Sequence, residues 1–162
     1  METGKESAAA LEVVVEIPRG SFLKRTSRGK VDFVSFFPCP YNYGSVCGLT
    51  GLDGDPLDAV ILGPRVPRGT RMTVQAYEAV RLIDRGVVDD KLICGDGPIG
   101  AAQRFWILLF FRFYSVCKRL LYRFRGSSGS TFCAGWVDPK AAIERARPNG
   151  IPGAEQRLDN GD

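Results

Sequence analysis

Three carboxylates fall within six residues at Asp53-Gly-Asp-Pro-Leu-Asp58, hard against the apolar run Ala59-Val-Ile-Leu62. Where the chain is extended, the two-residue period of a strand sets Asp53 and Asp55 on one face, and a turn at Pro56 swings Asp58 back toward them. Like charges this close repel unless cations lie between them. A calcium loop of the EF-hand kind is excluded, because Leu57 and Pro64 stand where the fifth and twelfth ligands belong. Taken alone, the six residues fit two readings: a hard-metal site, or a polar Asp-Gly turn with solvated carboxylates. A second acidic cluster, Asp84-Arg-Gly-Val-Val-Asp-Asp-Lys91, ends on a cation and has the plain reading of a charged hairpin tip. The chain has no histidine, and its five cysteines, at 39, 47, 94, 117 and 133, form no CxxC pair. The common zinc sites and imidazole-assisted nucleophiles therefore lose their usual partner, and the thiols are expected to be reduced and mostly buried.

These residues need a scaffold, and the pattern predicts a mainly β one with flanking helices. Leu11–Ile17 is β-branched and reads as a strand ended by Pro18-Arg-Gly20. Phe22–Lys24 and Val31–Phe37 read as two further strands forming a hairpin around Thr26-Ser-Arg-Gly29. Pro38–Gly44, with two prolines and two tyrosines, reads as an ordered aromatic loop. Ala59–Leu62, Arg71–Ile83 (one bent strand or two) and Leu92–Cys94 follow, and so many short strands argue for a barrel or sandwich. Phe105–Tyr122 has no Gly or Pro and reads as a helix, packed on the core with a basic end. Its apolar part is too short to cross a bilayer, which leaves an interfacial membrane helix as the alternative reading. A loop at Gly126–Ser130, an apolar return at Phe132–Trp136, and a helix over Asp138–Ala146 with Asp138 as cap and Pro139 at its first position complete the reading.

The 162 residues, 44% hydrophobic and 25% charged, suit one globular domain, expected over residues 11–147 between a flexible N-terminus at 1–10 and a flexible tail at 148–162. A net charge of +4 without a dense Lys/Arg block gives little support to nucleic-acid binding. No signal-peptide core is present near Met1, so a cytoplasmic location is expected.

Read in order, Glu16-Ile-Pro18, Lys24, Pro40-Tyr-Asn-Tyr-Gly44, Asp53–Asp58, and Asp84 with Asp89 and Lys91 resemble the soluble family I inorganic pyrophosphatases, over roughly residues 11 to 146. The DGDPxD core followed by D-x4-D-x-K is the specific part. The resemblance implies a five-stranded OB-like β-barrel with flanking helices and Mg²⁺-dependent hydrolysis of diphosphate. It implies Asp53, Asp58, Asp84 and Asp89 as metal ligands, Asp55 as the residue that orients or deprotonates the water, and Glu16 as an outer carboxylate. Lys24, Tyr43, Lys91 and Lys118 become phosphate binders. A homo-oligomer is expected, with no nucleic-acid or membrane partner. The chemistry agrees, since Mg²⁺ prefers carboxylate and phosphate oxygens and no imidazole is required.

The departures lie at the phosphate end. The family's substrate-binding Arg falls on Val31, its Tyr ahead of the Pro-x-Asn-Tyr-Gly motif on Cys39, and the Tyr of its F-x3-Y-K helix ending on Cys117, while Lys118 remains. A shifted alignment lets Tyr114 stand in for Cys117. Two other readings follow: a low-activity or non-catalytic phosphate-binding relative, or an OB-barrel nucleic-acid binder stacking bases on Phe36, Phe37, Tyr41 and Tyr43. Two substitutions carry sequence-based expectations: Asp58→Asn leaves the fold intact or more heat-stable by relieving repulsion, and Cys117→Tyr restores a phosphate donor.

Overall fold

A computed structural model describes residues 10–25, 31–34 and 38–148, with backbone alone at 23–25, 31–34 and 147. Five strands close into a ring: β1 (Ala10–Ile17), β4 (Asn42–Thr50), β5 (Pro56–Ile61), β7 (Val87–Gly95) and β6 (Arg71–Asp84), with β6 returning to β1. All contacts in the ring are antiparallel except β5 with β7, which run parallel. This is the five-stranded OB-like barrel that the resemblance implies. Outside the ring, β2 (Leu23–Arg25) and β3 (Val31–Val34) form the expected hairpin. Strand β8 (Phe132–Val137) adds to β6, and β9 (Arg147–Pro148) to the far end of β4. Helix α1 (Ala101–Phe124) covers one side, and α2 (Pro139–Arg145) starts as predicted, with Asp138 accepting from the Lys140 amide.

The alternation of strand side chains separates two apolar groups. Val13, Val15, Val46, Leu57, Ala59, Ile61, Leu92 and Cys94 fill the barrel interior, which Ala142 of α2 also joins. Tyr43, Val60, Val80, Leu82 and Ile93 point the other way and meet Ile107 and Phe111 of α1. A register shift between Val15 and Ile17 carries Ile17 onto this outer face.

Several local readings need correction. The aromatic loop is shorter than expected: residues 38–41 are irregular, but β4 begins at Asn42 and takes in residues 42–44. The reason is that Asn42 acts as a buried internal cap, accepting from the Arg19 and Val66 amides and donating to Pro64, so that two loops converge on a residue whose type suggests a turn. Asp53–Asp55 is not extended but a turn, with Gly54 at φ 86° and the Asp55 amide donating to Asp53, and the strand starts at Pro56. Asp89, Asp90 and Lys91 are buried within β7 rather than exposed at a hairpin tip. The five cysteines are free, yet only Cys94 is buried and the other four are half-buried. Phe36 and Phe37, which the nucleic-acid reading needs, lie outside the described residues.

Candidate active site

The period of two on the outer barrel face lines up Tyr43 and Ser45 on β4, Asp58 and Val60 on β5, Asp89, Lys91 and Ile93 on β7, and Glu78, Val80, Leu82 and Asp84 on β6. Toward one end these residues are mostly apolar and meet Ile107 and Phe111 of α1, with Glu78 buried among them in an ion pair to Arg104 of the same helix. Toward the other they become ionisable, and α1 changes with them: Tyr114, Lys118 and Tyr122 continue the same helix face at intervals of four. Sheet and helix switch from packing to chemistry along one line.

Lys91 is the centre of the polar end. It is buried, and its ammonium donates to Asp58 and, at 2.8 Å, to Asp89. The register that pairs Asp58 with Lys91 across β5 and β7 brings the two together. The Tyr43 ring centroid lies 5.7 Å from the ammonium. Burial alone would lower the affinity of Lys91 for its proton, but the Asp58 and Asp89 carboxylates outweigh it and hold the group charged, well above the usual lysine range. Burial pushes the Tyr43 phenol well up, and the neighbouring Asp58 adds to this, so it remains a neutral donor. Burial also raises the Asp89 carboxyl against the pull of Lys91, with Asp58 adding its repulsion. Asp53 is raised likewise, by burial and then by Asp89. Glu16 reaches the same face through Ser45, whose hydroxyl donates to it at 2.7 Å.

Asp84 stands in a second polar group. Lys118 and the Tyr122 hydroxyl, at 3.2 Å, donate to it. Burial would raise its carboxyl, but Lys118 prevails and holds it below the usual range. Lys118 joins the two groups, since its field also reaches Asp89. Of the residues named from sequence, Asp53, Asp58, Asp89, Lys91 and Tyr43 therefore act on one another directly, and Asp84 with Lys118 forms the adjoining pair. Asp55 is exposed in the turn beside Asp53. Lys24 lies in β2, and its side chain is outside the described residues.

Tyr114 is the residue that motif matching left as an alternative. Its ring lies 5.7 Å from the Lys118 ammonium and stacks on Phe110 with centroids 6.2 Å apart. The signal available in sequence was helical spacing from Ile107 and Phe111, which puts position 114 on the barrel side. Cys117 sits about 60° round the helix from Tyr114 at 100° per residue. Ser45, Tyr122 and Thr131, whose hydroxyl lies 3.5 Å from Asp84, carried no sequence signal.

Among the described residues no three Asp, Glu or Cys side chains converge to hold a metal ion by themselves. The cation between Asp58 and Asp89 in this arrangement is Lys91. The donor chemistry nevertheless fits a hard divalent ion: Asp53, Asp58 and Asp89 offer only carboxylate oxygens and raise one another's proton affinity.

Closed barrel, flanking helices and ionisable outer face define an OB-like α+β protein with a carboxylate and lysine cluster. Comparison with known proteins narrows this. The family model described as inorganic pyrophosphatase matches residues 13–98. Soluble inorganic pyrophosphatases of Oryza sativa subsp. indica and Zea mays are 37% identical over 108 residues and 38% over 109, in each case across 60% of this chain and 50% of the relative. The chain thus spans about half the length of the curated relatives it matches. The crystal structure of inorganic pyrophosphatase from Thermus thermophilus superposes with a TM-score of 0.69 at 25% identity, covering 90% of this chain and 91% of that one. The inorganic pyrophosphatase structure from Coxiella burnetii, at 23% identity and a TM-score of 0.65 over 88% of this chain and 94% of that one, shares the fold. The chain belongs to the inorganic pyrophosphatase family.

Proposed function

We propose that this chain hydrolyses diphosphate to two phosphates with Mg²⁺, on the outer barrel face beneath the C-terminal half of α1. The observation that carries the reading is the buried Lys91 ammonium, set between Asp58 and Asp89 and beside the phenol of Tyr43. Asp53, Asp58 and Asp89, with Asp84 adjoining, would hold the metal, which when bound supplies the positive charge that acidifies a water and polarises the phosphoryl oxygens. The chain's own groups do the rest. Lys91 offers charge to the phosphate oxygens, Tyr43 and Tyr114 offer O–H donors, and Lys118 offsets charge on the departing phosphate. Asp55 takes the proton from the attacking water and, being exposed, returns it to solvent. Lys24 is carried over as a further phosphate binder by the motif alone.

Release of phosphate from inorganic diphosphate, with Mg²⁺ and with excess chelator, tests the proposal. Turnover with metal and none with chelator is expected; undiminished turnover in chelator overturns it. A second reading, a relative that binds phosphate and turns over slowly, is favoured by Val31, Cys39 and Cys117 standing where phosphate-binding side chains are expected. A single-turnover assay separates the two.

A further inference from the structure

Among the described residues Arg85 alone, glycines aside, lies in the left-handed region, at φ 51°. With Gly86, at φ 83°, it forms the centre of the hairpin that joins Asp84 of β6 to Val87 of β7. Two-residue hairpin turns with positive φ at both positions are normally built from Asn, Asp or Gly, which adopt it at little cost. An arginine there holds backbone strain, and such strain persists only where the surroundings fix it. They do so here: the Arg85 amide donates to the Thr131 hydroxyl at 3.2 Å, and the Gly86 amide to the Ser130 carbonyl at 2.9 Å. The backbone gains nothing from an arginine at this position, which directs attention to the side chain.

Arg85 is exposed, and its guanidinium carbon lies over the Tyr122 ring, 5.0 Å from the centroid. The Lys118 ammonium lies 5.9 Å from the same centroid, and both Lys118 and the Tyr122 hydroxyl donate to Asp84. One aromatic ring thus fixes two cations at the edge of the candidate site. Among the described residues no carboxylate forms an ion pair with Arg85. A guanidinium over a ring engages its face, and the N–H donors in its plane stay available to an oxyanion. We propose that Arg85 is a substrate-binding residue, its guanidinium holding the departing phosphate of diphosphate together with the Lys118 ammonium. This rests on the diphosphatase reading above and adds a residue to its site. A planar fork matches two phosphate oxygens at once, which an ammonium does not, so Arg85 orients the phosphate where Lys118 supplies charge. Fixing the guanidinium before substrate arrives spares the entropy of ordering a long exposed side chain. The strained turn and the Tyr122 ring do the fixing.

The test compares the Mg²⁺-loaded full chain with Arg85→Gly, Arg85→Asn and Arg85→Lys. Gly and Asn tolerate the left-handed turn, so neither is expected to lower the melting temperature, and a kinetic loss in them is not a folding defect. Binding of methylenediphosphonate, which has no P–O–P bond to hydrolyse, is measured by calorimetry beside KM and kcat for diphosphate. The expected result in both variants is a KM about fivefold or more above the parent's, the scale of one charge-assisted contact, with a smaller change in kcat and a matching loss of methylenediphosphonate affinity. Arg85→Lys, which keeps the charge without the fork, is expected to recover part of both. KM and affinity at the parent's values in the Gly and Asn variants overturn the inference and leave the diphosphatase reading standing. A loss that appears only together with a lowered melting temperature overturns it too, since Arg85 then serves the turn alone. A parent that binds methylenediphosphonate through Arg85 but releases no phosphate from diphosphate overturns the diphosphatase reading instead, and with it the departing phosphate as the group held.

Discussion

Lys91 holds the site together because a buried ammonium must keep its partners. Losing one carboxylate from such a cluster leaves charge uncompensated in a poorly solvated place, which costs more than the relief of repulsion between the remaining groups. Asp58→Asn is therefore expected to lower stability by about 1–3 kcal/mol, the scale for a buried charged group deprived of a partner, and to reduce diphosphate turnover at least a hundredfold. Denaturant titration and phosphate release on the same preparation check both. This reverses the direction expected from sequence, where Asp58 stands beside Asp53 and Asp55 and the register that sets Lys91 against it is not visible. A mutant as stable as the parent would show that Lys91 is held mainly by Asp89. Tyr114 yields a second expectation. Tyr114→Phe removes a donor worth roughly 1.5–3 kcal/mol to a charged acceptor and should raise KM for diphosphate about tenfold or more. Cys117→Tyr should give no kinetic gain, since position 117 lies off the face that carries Tyr114 and Lys118. An improved KM in that variant would return the role to position 117.

The elements were legible where local pattern and final environment agree, and obscure where a long-range contact decides. β1, α1 and α2 follow from β-branching, from an unbroken run without Gly or Pro, and from an Asp-Pro cap, all written within a few residues. β4 does not, because its first residues look like turn formers until Asn42 is seen binding two loops and Gly44 is seen against β1. A Cβ at Gly44 would lie 2.1 Å from the Val14 carbonyl oxygen, a backbone atom that has no rotamer to escape into. The glycine of the Pro-Tyr-Asn-Tyr-Gly motif is thus required for the closeness of β1 and β4, and with them the placing of Glu16 beside Ser45. Gly44→Ala should cost several kcal/mol, about 3 or more on the scale of forced overpacking, read as a large fall in melting temperature. A loss below about 1 kcal/mol would mean the two strands separate easily. The candidate site shows the same division. Its acidic residues stand out as a motif, whereas the partners that fix them, Ser45, Tyr122 and Thr131, are ordinary hydroxyl residues until the fold brings them near.

For the molecule as a whole, no helix among the described residues is long and apolar enough to cross a membrane, and stability rests on the barrel interior. Cys94 reports on that interior. It is fully buried among Val13, Ala59, Ile61, Leu92 and other apolar side chains, and burial pushes its thiol from 9.0 up to about 12. In the unfolded chain the thiol ionises near its ordinary value; in the folded barrel it cannot until about pH 12. Between those values the folded state binds the extra proton, so stability falls as pH rises. The contribution is intact below about pH 9 and is lost progressively toward about pH 12, at about 1.4 kcal/mol for each unit and roughly 4 kcal/mol across the window. Lysine and tyrosine titrate in the same range, so the term is isolated by difference. Cys94→Ala is expected to be the less stable protein at pH 7, by about 1–3 kcal/mol for the lost sulfur and the cavity left behind, and to lose less stability than the parent between pH 9 and pH 11. The gap between the two unfolding curves should then narrow with pH. Parallel curves over that range would show that solvent reaches Cys94 in the folded state, and with it that the barrel opens more readily than its packing implies.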